Sequence, residues 1–173
     1  MRIRGCRDND FDALALLYRE FFNEMREWQG LEQLKLDEEG AAETARESLG
    51  MISWVFVAED SGELVGFARV QFWDGGYFVR EIFVTEAFRR RSLGSRLLTK
   101  CEDLVKKRGE TSTYLSVEPG HSVSLKFLAH NGYDTLNTLE LRKDFDQAGF
   151  IERRDKATIL GQQLRLLKRK KQR

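Results

Sequence analysis

Basic and small residues are concentrated near the middle of the chain, in the run Arg89-Arg90-Arg91-Ser92-Leu93-Gly94-Ser95. The run follows an apolar segment with a strand pattern and precedes an amphipathic helix pattern. Backbone N–H groups at a helix start lack intrahelical acceptors and lie at the positive end of the helix dipole, so they bind anions. Small side chains let phosphate oxygens approach, and the arginines add positive charge. Because the turn has no carboxylate to hold a metal ion, it predicts binding of a pyrophosphate without bound metal.

Two widespread phosphate-binding motifs are missing from this turn. It has neither the GxxxxGK(S/T) pattern of a P-loop nor the GxGxxG pattern of a dinucleotide-binding fold. ATP hydrolysis and nicotinamide chemistry are therefore disfavoured. The alternative is an ordinary helix start with solvated arginines, and the turn by itself does not decide between the two.

Strand and helix patterns on both sides of the turn indicate how it is positioned. Their order, β-α-α-β-β-β-α-β-α-β-β, predicts an α+β fold with a mixed, mostly antiparallel central sheet of about six to seven strands flanked by helices. The predicted elements are a strand around Ile3 to Cys6, helices from Phe11 to Phe22 and from Asp37 to Leu49, strands at 54–58, 64–72 and 77–85, a helix at 93–108 ended by Gly109, a strand at 113–117, a helix at 122–130 ended by Asn131-Gly132, and a final hairpin at 133–142.

We expect residues 1–145 to form one domain and residues 146–173 a basic helical extension. Residues 151–173 hold 9 basic and 2 acidic side chains, net +7, whereas residues 1–50 hold 7 and 12, net −5. We expect the extension to pack on the domain or on a second subunit of a homodimer, through apolar residues that suit one helix face: Ile159, Leu160, Leu164 and Leu167.

The basic turn resembles the signature turn of the GNAT superfamily of acetyl-CoA-dependent N-acetyltransferases, (Q/R)xxGx(G/A). Arg89 matches the first position and Gly94 the last, while Ser92 stands where the first glycine belongs. A serine with negative φ can occupy the same backbone region, which is what we expect here. A second family motif, roughly NxxAxx(L/F)YxxxG(F/Y), resembles residues 121–133. The matches are Ser124, Phe127 and Gly132-Tyr133, and the departures are His121 for asparagine and Leu128 for tyrosine.

The resemblance implies a GNAT-like fold and transfer of an acetyl group from acetyl-CoA to a primary amine, with no metal. It implies that the backbone of Phe83, Val84 and Thr85 binds the pantetheine arm as an added strand. The pyrophosphate would be held by Arg89, Arg90, Arg91, Ser92, Leu93, Gly94 and Ser95. Further implied cofactor contacts are His121, Ser124 and Phe127.

The implied reaction needs a group that removes a proton from the amine. A free alkylamine has a pKa near ~10, and only the neutral form attacks. Glu81, which lies shortly before the end of the predicted cofactor-binding strand, is the best candidate general base, directly or through a water. The alternatives for this carboxylate are an ion pair with Arg80 or Arg69, or a solvent-facing position on the strand. Glu118 is a weaker candidate base.

The departing thiolate lacks the family's usual proton donor, because Leu128 occupies the tyrosine position. Tyr133, His121 or water could take that role, and the sequence does not select among them. The departures at Leu128 and Ser92 also motivate an alternative function, a non-catalytic coenzyme A-binding regulatory module.

The acceptor is indicated by acidic residues in the predicted first and second helices. Glu20, Glu24 and Glu27 share one helix face, and an acidic rim would steer a cationic amine to the site. We therefore expect a small cationic amine as acceptor, with a protein N-terminus or lysine as the alternative; a solvated helix face is the simpler reading of each carboxylate. The remaining acidic residues of this region are Glu32, Asp37, Glu38, Glu39, Glu43 and Glu47.

Other features favour a soluble protein in the cytoplasm. The start of the chain lacks the apolar core of a secretory signal, and no apolar run approaches the ~20 residues of a membrane span. Cys6 and Cys101 are far apart and lack zinc-ligand spacing, which favours a reducing setting. A nucleic-acid role for Lys168 to Lys171 is disfavoured, because an aromatic stacking platform and a broad basic face are lacking.

Overall fold

The computed structural model describes residues 1–29, 31–32, 38–48, 52–146, 148 and 150–169. Its contacts divide the chain into two units, residues 1–24 with 34–116, and residues 25–33 with 117–173. The elements in chain order are β1 (Arg2–Gly5), α1 (Phe11–Gln29), α2 (Glu38–Ser48), β2 (Ser53–Asp60), β3 (Glu63–Trp73), β4 (Gly76–Val84), α3 (Leu93–Lys107), β5 (Tyr114–Leu115), α4 (Ser122–His130), β6 (Phe150–Ile159) and β7 (Gln162–Arg169).

The first unit is built on a five-stranded sheet in the order β1-β2-β3-β4-β5. Strands β1 to β4 pair antiparallel, and β5 pairs parallel with β4. Strand β3 lies at the centre and is buried from Leu64 to Val70, as expected for a strand covered on both faces. The predicted α+β class with a mixed, mostly antiparallel sheet is confirmed, although this sheet has five strands rather than six or seven.

Helices α1 and α3 supply the apolar stripes that cover this sheet. The cluster around α1 includes Leu14, Tyr18, Phe67 and Phe83, and joins the helix to β3 and β4. Helix α3 packs against β3 and β4 and buries residues at helical spacing: Leu93, Leu97, Leu98, Cys101 and Val105. Cys101 is fully buried in this stripe, and its burial raises the pKa of the thiol to about 12.

The helix boundaries agree with the local sequence signals. Gly109 follows α3 with φ +86°, the left-handed conformation that glycine adopts without a steric cost. The predicted second helix corresponds to α2, while its expected end residues Asp37 and Leu49 lie outside the described residues. Among the described helices, none is both long and apolar enough to cross a membrane.

The second unit differs from the sequence prediction. The expected hairpin at 133–142 is wrong, because this segment has no regular secondary structure. The expected helix in the C-terminal extension is also wrong, since β6 and β7 form an antiparallel hairpin there. Its two-residue turn is Leu160-Gly161, and both residues have positive φ, as a type I′ turn requires. The apolar spacing around Leu160 fits a helix face about as well as a strand, so the periodicity misled the prediction.

Candidate active site

Strands β4 and β5 separate soon after they meet. Their parallel pairing consists of Phe78 with Tyr114 and Val79 with Leu115, and β4 then continues to Val84. Within the described strands, the β4 backbone from Arg80 to Val84 has no strand partner on the β5 side, and we call this stretch the open edge. An open edge presents N–H and C=O groups that an extended ligand can use as a neighbouring strand would.

The hydrogen bonds of Thr85 show which backbone groups face this edge. The Thr85 N–H donates to the Val65 carbonyl at 3.0 Å, on the β3 side. Backbone groups alternate between the two sides of a strand, so Phe83 also faces β3, whereas Ile82 and Val84 face the open edge. Of the three residues expected to bind pantetheine, the edge therefore presents Val84, while Ile82 is an additional residue that only the strand register reveals.

A β-bulge at Arg80 sets the position of the candidate base. The pairing of β3 with β4 runs from Arg69 opposite Glu81 to Val70 opposite Val79, which leaves Arg80 as the extra residue. The bulge thereby makes Glu81 the direct cross-strand neighbour of Arg69. Side chains of such neighbours lie on the same face of the sheet and are close enough to pair.

Glu81 and Arg69 form a two-pronged ion pair that is largely shielded from solvent. Arg69 donates from Nε to Glu81 Oε2 at 2.5 Å and from Nη2 to Glu81 Oε1 at 2.7 Å. The Tyr18 hydroxyl reaches Oε2 at 3.5 Å, and Arg69 Nη1 donates to Ser53 Oγ at 3.3 Å. Burial lowers the pKa of the Arg69 guanidinium, but the hydrogen bond and charge of Glu81 outweigh this, so the pKa is raised. The ion-pair alternative for Glu81 is thus observed, with Arg69 and not Arg80.

The ion pair lines a small cavity where β4 and β5 diverge. The cavity has a volume of about 230 Å³ and includes both members of the pair. It is formed by Arg69, Phe78, Val79, Arg80, Glu81 and Ser116. The carboxylate predicted to be the general base is therefore next to the place where the open edge begins.

Arg89 fastens the basic turn to its surroundings. Its Nε donates to the Val84 carbonyl at 2.8 Å, and its Nη2 donates to both Glu24 carboxylate oxygens at 2.6 and 2.7 Å. The guanidinium also lies 5.6 Å from the centre of the Phe83 ring. In this structure the side chain therefore holds the turn against β4 and α1, and its expected role as a phosphate ligand stays a prediction.

Arg90 and Arg91 remain at the surface of the turn. Both side chains are exposed, and within the described part of the chain neither forms an ion pair. The Arg91 guanidinium lies 5.2 Å from the centre of the Phe88 ring. These two exposed side chains are placed to contribute charge to an anion at the turn.

The start of α3 presents free backbone donors. The first α-helical hydrogen bond runs from Arg96 N–H to the Ser92 carbonyl at 3.0 Å. Among the described hydrogen bonds, none satisfies the N–H groups of Leu93, Gly94 and Ser95, and no side chain caps the helix. Leu93 is buried, so it can contribute only its backbone.

Ser92 departs from the expected backbone conformation. Its φ is +58° and its ψ is 12°, which is left-handed, whereas we expected a negative φ. Arg90 is also left-handed, with φ +60°. Residues other than glycine adopt this conformation at a cost of about 1–2 kcal/mol each. The turn therefore keeps the shape that a glycine would favour, although a serine stands there.

The second unit holds the other residues of the family resemblance. His121 caps α4, because its Nδ1 accepts the Ser124 N–H at 3.2 Å, and its ring lies 4.8 Å from that of Trp28. Phe127 is half-buried and Leu128 is buried, so Leu128 serves as a packing residue. His121 thus takes over a helix-capping role at the position where the family motif has asparagine.

Glu118, the second candidate base, accepts a hydrogen bond from Gln29 Nε2 at 2.7 Å.

The acidic residues of the expected rim do not share one environment. Glu24 is paired with Arg89, and Glu20 lines a separate groove between α1 and the β2–β3 turn. The rim is therefore not a continuous set of free carboxylates in the first unit. Glu27 belongs to the second unit, Glu43 and Glu47 are exposed, and Asp37 with the side chains of Glu38 and Glu39 lies outside the described residues.

No metal centre is formed by the described residues, since three or more histidine, cysteine, aspartate or glutamate side chains do not converge among them. Cys6 and Cys101 are both free thiols.

Comparisons with known proteins bear on the family and the fold of the chain. The sequence profile of the Acetyltransferase (GNAT) family matches residues 13–133. No protein of curated function matches the chain by sequence. Similar folds occur in solved structures at 15–17% identity, a level that shows a shared fold.

Three of these structures illustrate the likeness. AAC(6')-Iy, bound to the bisubstrate analogue CoA-S-monomethyl-acetylneamine, has a TM-score of 0.65 and 16% identity over 83% of this chain and 97% of its own. Aminoglycoside 6'-N-acetyltransferase AAC(6')-IG from Acinetobacter haemolyticus has a TM-score of 0.61 and 15% identity over 84% and 100%. The PaiA N-acetyltransferase from Thermoplasma acidophilum, bound to coenzyme A, has a TM-score of 0.59 and 17% identity over 97% and 98%.

Proposed function

The chain belongs to the GNAT acetyltransferase family and is an N-acetyltransferase that uses acetyl-CoA as cosubstrate, and on this premise we propose that it acetylates a primary amine of a small cationic molecule. One observation carries the proposal: the open edge of β4 is followed, after the turn at residues 85–92, by the uncapped start of α3, and the Glu81 carboxylate lies where that edge begins. A strand-like arm, a polyphosphate and an amine would each meet suitable groups along this path.

The proposed cofactor site uses mainly backbone groups. The N–H of Val84 and the backbone of Ile82 would bind the pantetheine arm in the manner of an added strand. The N–H groups of Leu93, Gly94 and Ser95 would bind the pyrophosphate, with Arg90 and Arg91 supplying positive charge. These assignments retain the turn predicted from the sequence and, at the strand, replace Phe83 and Thr85 by Ile82.

The proposed chemistry is direct transfer of the acetyl group. The amine nitrogen attacks the thioester carbonyl carbon, a C–N bond forms, and the C–S bond breaks to release the coenzyme A thiolate. Glu81 accepts the proton that the ammonium group must lose, through a water, and solvent supplies the proton that the thiolate takes up. Leu128 cannot act as the acid, because its side chain is apolar and buried.

The acceptor class is inferred from charge and from the similar folds. Residues 1–50 carry a net charge of −5, with 7 basic and 12 acidic side chains, and would attract a cation over a range of about 10 Å at moderate ionic strength. Two of the similar structures are aminoglycoside acetyltransferases, and aminoglycosides are cationic amino-sugars. Both observations favour a small molecule with several amines.

The proposal is tested by following thiol release from acetyl-CoA against a panel of acceptors. The panel contains an aminoglycoside, a polyamine, free amino acids, and peptides with a free N-terminus or a lysine. We expect turnover with the polyamine or aminoglycoside and a rate that falls as salt is raised. Turnover with the peptides alone would identify a protein acetyltransferase instead. Binding of coenzyme A by calorimetry without turnover on any acceptor would identify a non-catalytic module.

A further inference from the structure

Arg69 is a charged residue in a part of the protein that is otherwise apolar. It is 7% exposed and lies in the buried stretch of β3, next to Phe67, Ala68 and Val70, each of which is 0% exposed. Burying a guanidinium carries a large desolvation cost, and well-packed apolar residues often stabilise a fold as well as a buried ion pair does. The location of Arg69 is therefore not explained by stability alone.

The contacts of Arg69 restrain one particular group. Its guanidinium donates one hydrogen bond to each oxygen of the Glu81 carboxylate, from Nε and Nη2. The third nitrogen, Nη1, donates to the Ser53 hydroxyl of β2. A planar guanidinium fixes both the distance and the orientation of a carboxylate, which a lysine cannot do. The carboxylate consequently has one defined position beside the cavity at the start of the open edge.

We propose that Arg69 is a positioning residue for catalysis: it holds the Glu81 carboxylate in the orientation that receives the acceptor's proton at the β4–β5 divergence. The inference rests on the proposed function, in which Glu81 acts on the amine. It assigns Arg69 no contact with either substrate. Its effect on the rate is exerted through Glu81, and the Arg80 bulge provides the register that brings the two side chains together.

The test compares Arg69→Lys, Arg69→Met, Glu81→Gln and the double variant Arg69→Lys/Glu81→Gln. We expect Arg69→Lys to lower kcat roughly 10- to 100-fold, because small displacements of a reacting group have effects of this size. Arg69→Met should lower kcat further. The KM for acetyl-CoA and the calorimetric affinity for coenzyme A should change less than about twofold, since Arg69 lies away from the phosphate turn and the rate effect acts through Glu81.

The double variant separates a positioning role from an independent one. If Arg69 acts through Glu81, Arg69→Lys should cause no further loss of kcat once Glu81 is glutamine. An equal loss in both backgrounds would overturn the inference, as would an unchanged kcat in Arg69→Lys. Loss of coenzyme A binding by both Arg69 variants would show a purely structural role and would also overturn it.

Arg4→Lys is the matched control. Arg4 is a second shielded arginine, and it forms ion pairs with Asp10 and Glu59. It lies on β1, which is separated from the open edge on β4 by strands β2 and β3. Its replacement should lower thermal stability and leave kcat unchanged. A similar fall in kcat for Arg4→Lys and Arg69→Lys would show a general loss of folding and overturn the inference. Absence of turnover by the wild-type protein with every amine would overturn the proposed function. If the wild type is active and Arg69→Lys has the same kcat, only the positioning role of Arg69 is overturned.

Discussion

Two regions of the first unit contain a shielded arginine, and they are built in opposite ways. The first region, which we call the Arg4 corner, consists of Arg4, Asp10 and Glu59. Arg4 donates hydrogen bonds to both carboxylate oxygens of Asp10 and to Glu59. Asp10 also accepts a hydrogen bond from the Arg7 N–H at 2.7 Å. The corner ties β1 to the start of α1 and to β2. Around Arg69, by contrast, the ion pair borders a cavity and the beginning of an open strand edge.

The difference separates groups that stabilise the fold from groups kept available for a ligand. In the Arg4 corner the charges satisfy one another, and the hydrogen bond from Arg4 holds the pKa of the Asp10 carboxyl below its usual range. The open edge and the turn that follows it, by contrast, keep unpaired backbone donors, and the turn contains two left-handed residues, Arg90 and Ser92. Changes in the corner should thus alter stability, and changes along the edge should alter catalysis.

The largest expected effect is that of Glu81→Gln on the rate. Glutamine keeps the size of the side chain and cannot accept the proton, so kcat should fall about 10²- to 10⁴-fold, the usual contribution of a general base. Thiol-release kinetics with acetyl-CoA measure the rate, and calorimetry with coenzyme A should give an unchanged affinity. A rate within threefold of the wild type would remove Glu81 as the base.

Next in size is the effect of Asp10→Asn on stability. The substitution leaves Arg4 with one carboxylate partner and should destabilise the fold by about 2–3 kcal/mol. Urea unfolding followed by circular dichroism gives the free energy of unfolding, and kcat at a permissive temperature should be retained. If Asp10→Asn reduced kcat as strongly as Glu81→Gln, the contrast between the two regions would be lost.

The Arg4 corner should also produce a pH dependence of smaller size. The pKa of Asp10 in the folded protein is below its unfolded value near ~3.9. Its stabilising contribution is therefore present above about pH 4 and is lost as the pH falls through the folded pKa. Thermal melts between pH 2 and 7 should show a smaller acid-induced loss for Asp10→Asn than for the wild type. Asp12→Asn, at an exposed neighbouring position, serves as the control and should follow the wild-type profile.

The smallest expected effect is a gain in stability from Ser92→Gly. Glycine adopts the left-handed conformation of residue 92 freely, so the substitution should stabilise the fold by about 0.5–1 kcal/mol. For a chain of this length the melting temperature should rise by roughly 2–4 °C per kcal/mol. Ser95→Gly, inside the first turn of α3, should have the opposite sign. A loss of stability in Ser92→Gly would mean that the serine side chain makes a compensating interaction.

The sequence was sufficient for features that depend on neighbouring residues. The amphipathic pattern of α3, its stop at Gly109 and the basic turn before it follow from local chemistry, and each is found in the first unit. The pairing of Glu81 with Arg69 was predicted only as one of several alternatives. It depends on the bulge at Arg80, and the register of two strands is set by packing across the sheet rather than by either strand alone.

Features that depend on backbone conformation were harder to predict from the sequence. The left-handed φ of Ser92 is imposed by the turn, although a serine does not favour it. The β6–β7 hairpin was missed because Leu160 occupies a turn position usually filled by asparagine, aspartate or glycine. The hydrogen bond from the Thr85 N–H to the Val65 carbonyl was likewise needed to find that Ile82, and not Phe83 or Thr85, faces the open edge.

The bulge at Arg80 also changes how the open edge could pair with another strand. A flat strand with unpaired backbone groups is a template on which another polypeptide can add itself, and such growth leads to aggregates. At the open edge of β4 the exposed, charged Arg80 and the local twist of its bulge interrupt that template. A narrow arm that lies along only a few residues can still bind there, whereas a full-length strand would meet an irregular, charged surface. The same extra residue that aligns Glu81 with Arg69 thereby makes the open edge a less regular template for a second strand.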